Sequence, residues 1–169
     1  MKVFLVRHGD ADAELPEGLG DEARALTAKA RHALAVHFAP LTERMRSAHL
    51  ILTSPLVRTV QTAQILSEAL HHEGMLRAHR GLLPDIPVGA LESVLNDHPG
   101  EDLILVGHQP SMGAMAAHLL GLQSFPRPVN PGTVIALERP DALTEAERPP
   151  VAASFLFYAA PGHPVLDAL

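Results

Sequence analysis

Short apolar runs alternate along this chain with longer segments of helical periodicity. Lys2 to Val6 is an apolar run that ends at Arg7-His8-Gly9. It predicts a buried strand whose carboxyl end delivers polar residues into a turn. Residues 11–20 carry Pro16, Gly18 and Gly20 and read as a loop. From Asp21 to Phe38 the chain is Ala-rich, with Leu26, Ala30, Leu34 and Phe38 at helical spacing, and Pro40 marks its end. A weaker turn at Thr42–Arg46 precedes a second strand at Ala48–Thr53. Ser54-Pro55 then reads as a helix start, a capping residue with proline in the first turn. That helix carries Val57, Val60, Ala63, Ile65 and Leu66, runs to about His72 and is stopped by Gly74.

Met75 to His79 predicts a short strand, and Pro84 and Pro87 bound a turn before a helix near Gly89–Asn96. Asp102–Val106 is the clearest strand; Gly107-His108-Gln109-Pro110-Ser111 follows it, then an apolar helix from Met112 to Leu120. Thr133–Leu137 and Ala153–Phe157 predict two late strands, with an exposed charged loop at residues 138–150 between them and a tail at Gly162-His163-Pro164. There is no internal repeat and no linker long enough to divide the chain, so residues 1–169 are expected to form one domain. Strands alternating with helices imply an α/β sandwich on a mostly parallel sheet, in which ligands sit beyond the carboxyl ends of the strands. Three polar signatures fall there: Arg7-His8-Gly9, Thr53-Ser54-Pro55 and Gly107-His108-Gln109.

Composition narrows the classes. A chain of 169 residues that is 47% apolar can bury a real core. Its net charge of 13 − 19 = −6 argues against nucleic-acid binding, which needs a basic face. It leaves small phosphorylated ligands open, since two or three local cations can hold those. The absence of cysteine removes disulfides, thiolate catalysis and Cys-type zinc sites. The N-terminal apolar run is too short for a signal peptide, and no apolar stretch approaches the roughly 18 residues needed to span a bilayer. A cytoplasmic protein that binds no membrane is the expectation.

The three strand-end signatures make chemical sense together. Transfer of a phosphoryl group through a covalent intermediate needs a nucleophile of near-neutral pKa, which imidazole supplies. It needs fixed positive charge around the non-bridging oxygens, which arginine supplies through paired hydrogen bonds. A second imidazole, protonated when phosphate is bound, adds charge without crowding. His8, Arg58 and His108 are placed to play these parts.

Four stretches carry a resemblance: Val3–Ala11 around Arg7-His8-Gly9, Leu52–Ala63 with Ser54-Pro55-x-x-Arg58-x-x-x-Thr62, Leu105–Pro110 with Gly107-His108-x-Pro110, and the late strand at Thr133–Leu137. In that order, each after a strand, they resemble the histidine phosphatase superfamily, and within it the small SixA-type phosphohistidine phosphatases. The resemblance implies a three-layer α/β/α sandwich with one antiparallel edge strand, as in phosphoglycerate mutase. It implies His8 as the phosphorylated nucleophile, with Arg7, Arg58 and His108 completing the phosphate pocket. Beside these, Gln109 and Ser111 read as further donors to phosphate. No metal and no cofactor are implied. A metal cluster at His71, His72 and His79 is not expected, because no carboxylate pattern completes one. The other histidines read as surface or partly buried residues, and Met112 and Met115 as core.

Superfamily members that cleave alkyl phosphates place a carboxylic acid to protonate the leaving alkoxide. Its usual position aligns near Pro84; Asp85 is one residue off and Glu92 lies further along the next helix. Phosphohistidine asks less, because a protonated imidazole leaves as a neutral group. With about twenty residues between Gly81 and Asp102, there is also little chain for a lid. The expected reaction is therefore removal of phosphate from phosphohistidine on a protein, for instance one of the histidine phosphotransfer type. A phosphatase of a small phosphomonoester, with Asp85 or Glu92 as proton donor, is the alternative. A non-catalytic phosphate-binding domain is the alternative of another class.

Overall fold

The computed structural model describes residues 1–140 and 152–169. The expected loop at 138–150 lies largely outside them. Six strands form one sheet: β1 (Lys2–Arg7), β2 (Leu50–Thr53), β3 (Met75–Ala78), β4 (Leu103–Gly107), β5 (Val134–Glu138) and β6 (Ser154–Ala159), in the order β3-β2-β4-β1-β5-β6. β1 pairs in parallel with β4, β4 with β2 and β2 with β3, whereas β5 runs antiparallel to β1 and β6 antiparallel to β5. The strand that opposes the others is thus β5, one place in from the edge that β6 forms.

Alternation along the strands sorts the side chains into two cores. Val3, Leu5, Leu50, Leu52, Leu103 and Leu105 face α4 (Val88–Asn96) and α5 (Ser111–Leu120), where Leu91, Leu95, Met112 and Met115 meet them. Phe4, Val6, Ile51, Ile104 and Val106 face α1 (Ala28–Phe38), α2 (Thr42–Met45) and α3 (Val57–Ala69), meeting Leu34, Phe38, Met45, Ala63 and Leu66. Helices on both faces make three layers. β1 is central, buried from Val3 to Val6, so whatever follows Val6 emerges at the middle of the sheet's carboxyl edge.

Three local expectations are corrected. The helix predicted from Asp21 begins at Ala28; Asp21–Ala23 is a single 3-10 turn, and Arg24 is extended. Thr27 caps α1 by accepting from the Ala30 N–H, while Leu26 makes an isolated antiparallel bridge with Ala11 and donates its N–H to Gln61 Oε1. Apolar spacing could not register these side-chain claims on the backbone. The helix predicted from Ser54-Pro55 begins at Val57, because the Ser54 hydroxyl is taken up elsewhere. The C-terminal segment is tied back, with Leu166 bridging Tyr158 of β6.

Candidate active site

Backbone hydrogen bonds stitch the strand ends together. His8 N–H donates to the Gly107 carbonyl at 3.0 Å, Arg7 N–H to Thr133 O at 3.0 Å, Gly132 N–H to Arg7 O at 3.0 Å and Ser54 N–H to Val106 O at 3.0 Å. The chain then turns tightly at Gly9, whose N–H donates to Thr62 Oγ1 at 3.1 Å. A Cβ on Gly9 would lie 2.6 Å from Leu34 Cδ1, so the turn needs glycine for close approach to α1. Thr62 in turn donates to the Arg58 carbonyl at 2.7 Å, fixing the nucleophile loop to the helix that carries Arg58.

His8 and His108 meet edge to face, ring centroids 5.1 Å apart. His8 Nδ1 lies 2.7 Å from the Gly9 carbonyl. A carbonyl only accepts, so Nδ1 holds the proton and Nε2 the lone pair. Burial pushes the His8 pKa down to about 4; the Gly9 carbonyl works against this, while the charges of Arg58, Arg7 and Arg24 add to it. The ring is neutral at neutral pH, as a nucleophile must be. His108, 3% exposed, sets Nε2 at 2.8 Å from Ser54 Oγ. Burial, then the neighbouring His8 and Arg58, push its pKa down to about 3, with Asp21 opposing. With these neighbours the His108 ring is neutral at neutral pH. A bound anion would favour the cation expected from the sequence, since an opposite charge nearby raises an imidazole pKa.

Two arginines lie near the paired imidazoles, close enough to lower the His8 pKa. Arg58 is 4% exposed, and its Nε, like the Nε of Arg7, is buried without a hydrogen-bond partner among the described residues. A buried guanidinium N–H left unpaired is costly, and here two of them belong to residues whose charge reaches His8. Arg7 Nη1 is held by the Val129 carbonyl at 2.8 Å. The terminal nitrogens of Arg58 are both held by Asp21: Nη1 donates to its carbonyl at 3.0 Å and Nη2 to Oδ2 at 3.0 Å. Asp21 Oδ1 accepts from Arg24 Nε at 3.0 Å. Desolvation works to raise the Asp21 carboxyl, but the hydrogen bond and charge of Arg58, joined by Arg24, outweigh it and hold it below the usual carboxylate range.

The structure brings Arg7, His8, Arg58 and His108 to one strand edge but not the remaining candidates. Gln109 folds back, its Oε1 accepting from the Gly113 N–H of α5 at 2.8 Å. Glu92 contacts His118 at 3.2 Å and Arg139 at 3.9 Å. The Arg139 N–H donates to the Met1 carbonyl, which places Glu92 toward the amino end of β1, roughly 20 Å of strand from Arg7. Asp85 is exposed with φ 61°, beside Ile86, whose carbonyl accepts from Ser111 Oγ at the start of α5. It sits on the rim at the site's end of the sheet. His72 and His79 are engaged by backbone, Nε2 with the Ala48 carbonyl and Nδ1 with the Gly81 N–H.

Sequence reasoning missed Ser54, Asp21 and Arg24. Ser54 was legible as the polar residue between strand and helix, but as a cap. Asp21 and Arg24 carried only a spacing of three, inside a segment read as helix.

Against known proteins, residues 3–82 match the family model described as the histidine phosphatase superfamily (branch 1). An uncharacterized protein of Picosynechococcus sp. is 35% identical over 127 residues, covering 69% of this chain and 71% of that one. Among solved structures, the protein histidine phosphatase SixA complexed with tungstate superposes with a TM-score of 0.77 at 21% identity, over 95% of this chain and 97% of that one. A mycobacterial glucosyl-3-phosphoglycerate phosphatase superposes less fully, with a TM-score of 0.57 at 17% identity over 80% of this chain and 89% of that one. The chain belongs to the histidine phosphatase superfamily and is a phosphatase of that family.

Proposed function

We propose that the chain takes a phosphoryl group onto Nε2 of His8 and releases it to water, and that its substrate is phosphohistidine on a protein. The observation that carries the transfer is a neutral His8, its Nδ1 fixed by the Gly9 carbonyl, beside two arginines whose buried Nε donors have no hydrogen-bond partner among the described residues. In the first step the P–N bond of the substrate breaks as the bond from His8 Nε2 to phosphorus forms, and the departing imidazole takes its proton from solvent. In the second, water attacks phosphorus and frees His8. Arg7 and Arg58 would hold the non-bridging oxygens. His108, protonated together with the ligand and kept in place by Ser54, would add charge as the oxygens become more negative.

The choice of leaving group rests on the carboxylates. Asp21 is held ionised between two arginines, and Glu92 is engaged at the far end of the sheet. That leaves the exposed Asp85 as the one sequence-predicted acid on the site's side, poor provision for an alkoxide and sufficient for an imidazole. A protein of the histidine phosphotransfer type, in the cytoplasm, is the partner this reading calls for. The small phosphomonoester reading rests on Asp85.

The test is incubation with a phosphodonor followed by assay of acid-labile phosphate on the chain, and comparison of phosphohistidine with an alkyl phosphate as substrate. Label on wild type that is absent from His8→Ala, with phosphohistidine preferred, is expected. Equal label on His8→Ala would sink the transfer to His8. Preference for the alkyl ester, lost in Asp85→Ala, would overturn the choice of substrate.

A further inference from the structure

Arg58 is bound by its neighbours in an uneven way. Its two terminal nitrogens are both engaged by one residue, Asp21, through a backbone carbonyl and a carboxylate oxygen, each at 3.0 Å. Its Nε is buried and has no hydrogen-bond partner among the described residues. The burial is uneven too: the side chain of Arg58 is 5% exposed and that of Asp21 is 62% exposed. A surface carboxylate therefore reaches in to a buried cation. Asp21 does not hang free on its loop. Arg24 Nε holds its second oxygen at 3.0 Å, and the segment is pinned to α3 where Leu26 N–H donates to Gln61 Oε1 at 2.8 Å. Arg58 and Gln61 lie three apart on that same helix, so one turn of α3 both presents the guanidinium and anchors the loop that grips it.

We infer that Asp21 is the positioning residue of Arg58: it holds the terminal edge of the guanidinium so that the Nε edge faces an incoming phosphoryl group. The inference rests on the phosphatase reading for what the pocket binds. An arginine takes a tetrahedral anion through two parallel N–H donors, and a guanidinium free to rotate loses that fork. The role runs against simple electrostatics. A carboxylate beside an anion site repels the anion, so by charge alone removing Asp21 would tighten phosphate binding. If Asp21 positions Arg58, removing it loosens binding. The sign of the change decides.

The test is the affinity of the full chain for inorganic phosphate, by calorimetry, in Asp21→Ala and Asp21→Asn, with melting temperatures recorded to confirm folding. Loss of a charge-assisted hydrogen bond predicts about tenfold weaker binding in Asp21→Ala. Asp21→Asn keeps an acceptor for Nη2 and recovers most of that loss, although it has lost the same charge. In an Arg58→Ala background, or in Arg58→Lys if the first does not fold, Asp21→Ala has no further effect, because its action runs through Arg58. Binding as tight as wild type or tighter in Asp21→Ala overturns the inference, and so does an equal loss in the Arg58 background. If wild type binds phosphate but forms no acid-labile phosphohistidine, the transfer reading fails while the binding comparison still decides the role of Asp21. A wild type that binds no phosphate overturns both.

Discussion

Ser54 Oγ lies 2.8 Å from His108 Nε2, and both side chains are buried. The hydroxyl sits on the short link between β2 and α3, and the imidazole follows β4, so this contact joins two neighbouring strand ends. It also restrains the plane of the ring. Ser54→Ala removes the contact with almost no change in volume. A buried hydrogen bond contributes about 1 kcal/mol, which corresponds to roughly a fivefold fall in kcat/KM. Steady-state kinetics on a phosphoramidate check this, and unchanged kcat/KM would show that His108 is held by packing alone.

The depressed pKa of His8 sets the acid side of the rate profile. Attack requires the neutral ring, so kcat/KM holds well below the ordinary value of 6.5 and falls only as pH approaches about 4. Folding stability follows the same groups. Between 6.5 and the folded values near 4 and 3, the unfolded chain binds protons that the folded chain refuses. The stabilisation is thus fully present above 6.5 and is lost as pH falls through that window. A rate profile breaking near 6.5 would contradict the burial of His8.

Phosphate and His108 are linked in the opposite sense. Burial, His8 and Arg58 keep His108 neutral, and a bound anion favours its protonation, so binding takes up a proton and weakens as pH rises. Calorimetry in two buffers of different ionisation enthalpy measures that uptake. No buffer dependence in wild type, or the same dependence in His108→Gln, contradicts it.

At Gly9 an added Cβ meets Leu34 Cδ1 at 2.6 Å and Leu26 Cδ2 at 3.3 Å. Gly9→Ala forces these core side chains to shift, at a cost of about 1–3 kcal/mol. The displaced turn carries His8 with it. Thermal unfolding should show the loss, and adding Leu34→Ala should restore activity more than stability, since it makes room but opens a cavity.

Glu92→Ala should leave catalysis unchanged, because its partners His118 and Arg139 lie toward the Met1 end of the sheet. The ion pairs are at the surface, so stability should fall by less than about 1 kcal/mol. A large drop in kcat would return Glu92 to the list of acids.

The sequence by itself determined the order of strands and helices and the ends at which chemistry gathers, because apolar runs and the residues just past them are local signals. It marked Arg7, His8, Arg58 and His108 for the same reason: each stands at a strand end or in the first turn of the helix after one. Tertiary structure decided the side-chain partnerships between distant segments. Whether Ser54 caps a helix or holds His108 depends on where β4 lies beside β2. Whether Asp21 opens a helix or grips Arg58 depends on how α3 meets the loop before α1. It also decided protonation, since the pKa values of His8 and His108 follow from burial and neighbouring charge that no local pattern records. Glu92 and Asp85, seven residues apart in sequence, were separated by helix α4, which carries one toward the far end of the sheet and leaves the other on the rim. The sequence placed both near the usual acid position, and only the folded chain separates them, because α4 carries Glu92 away from the rim where Asp85 stays.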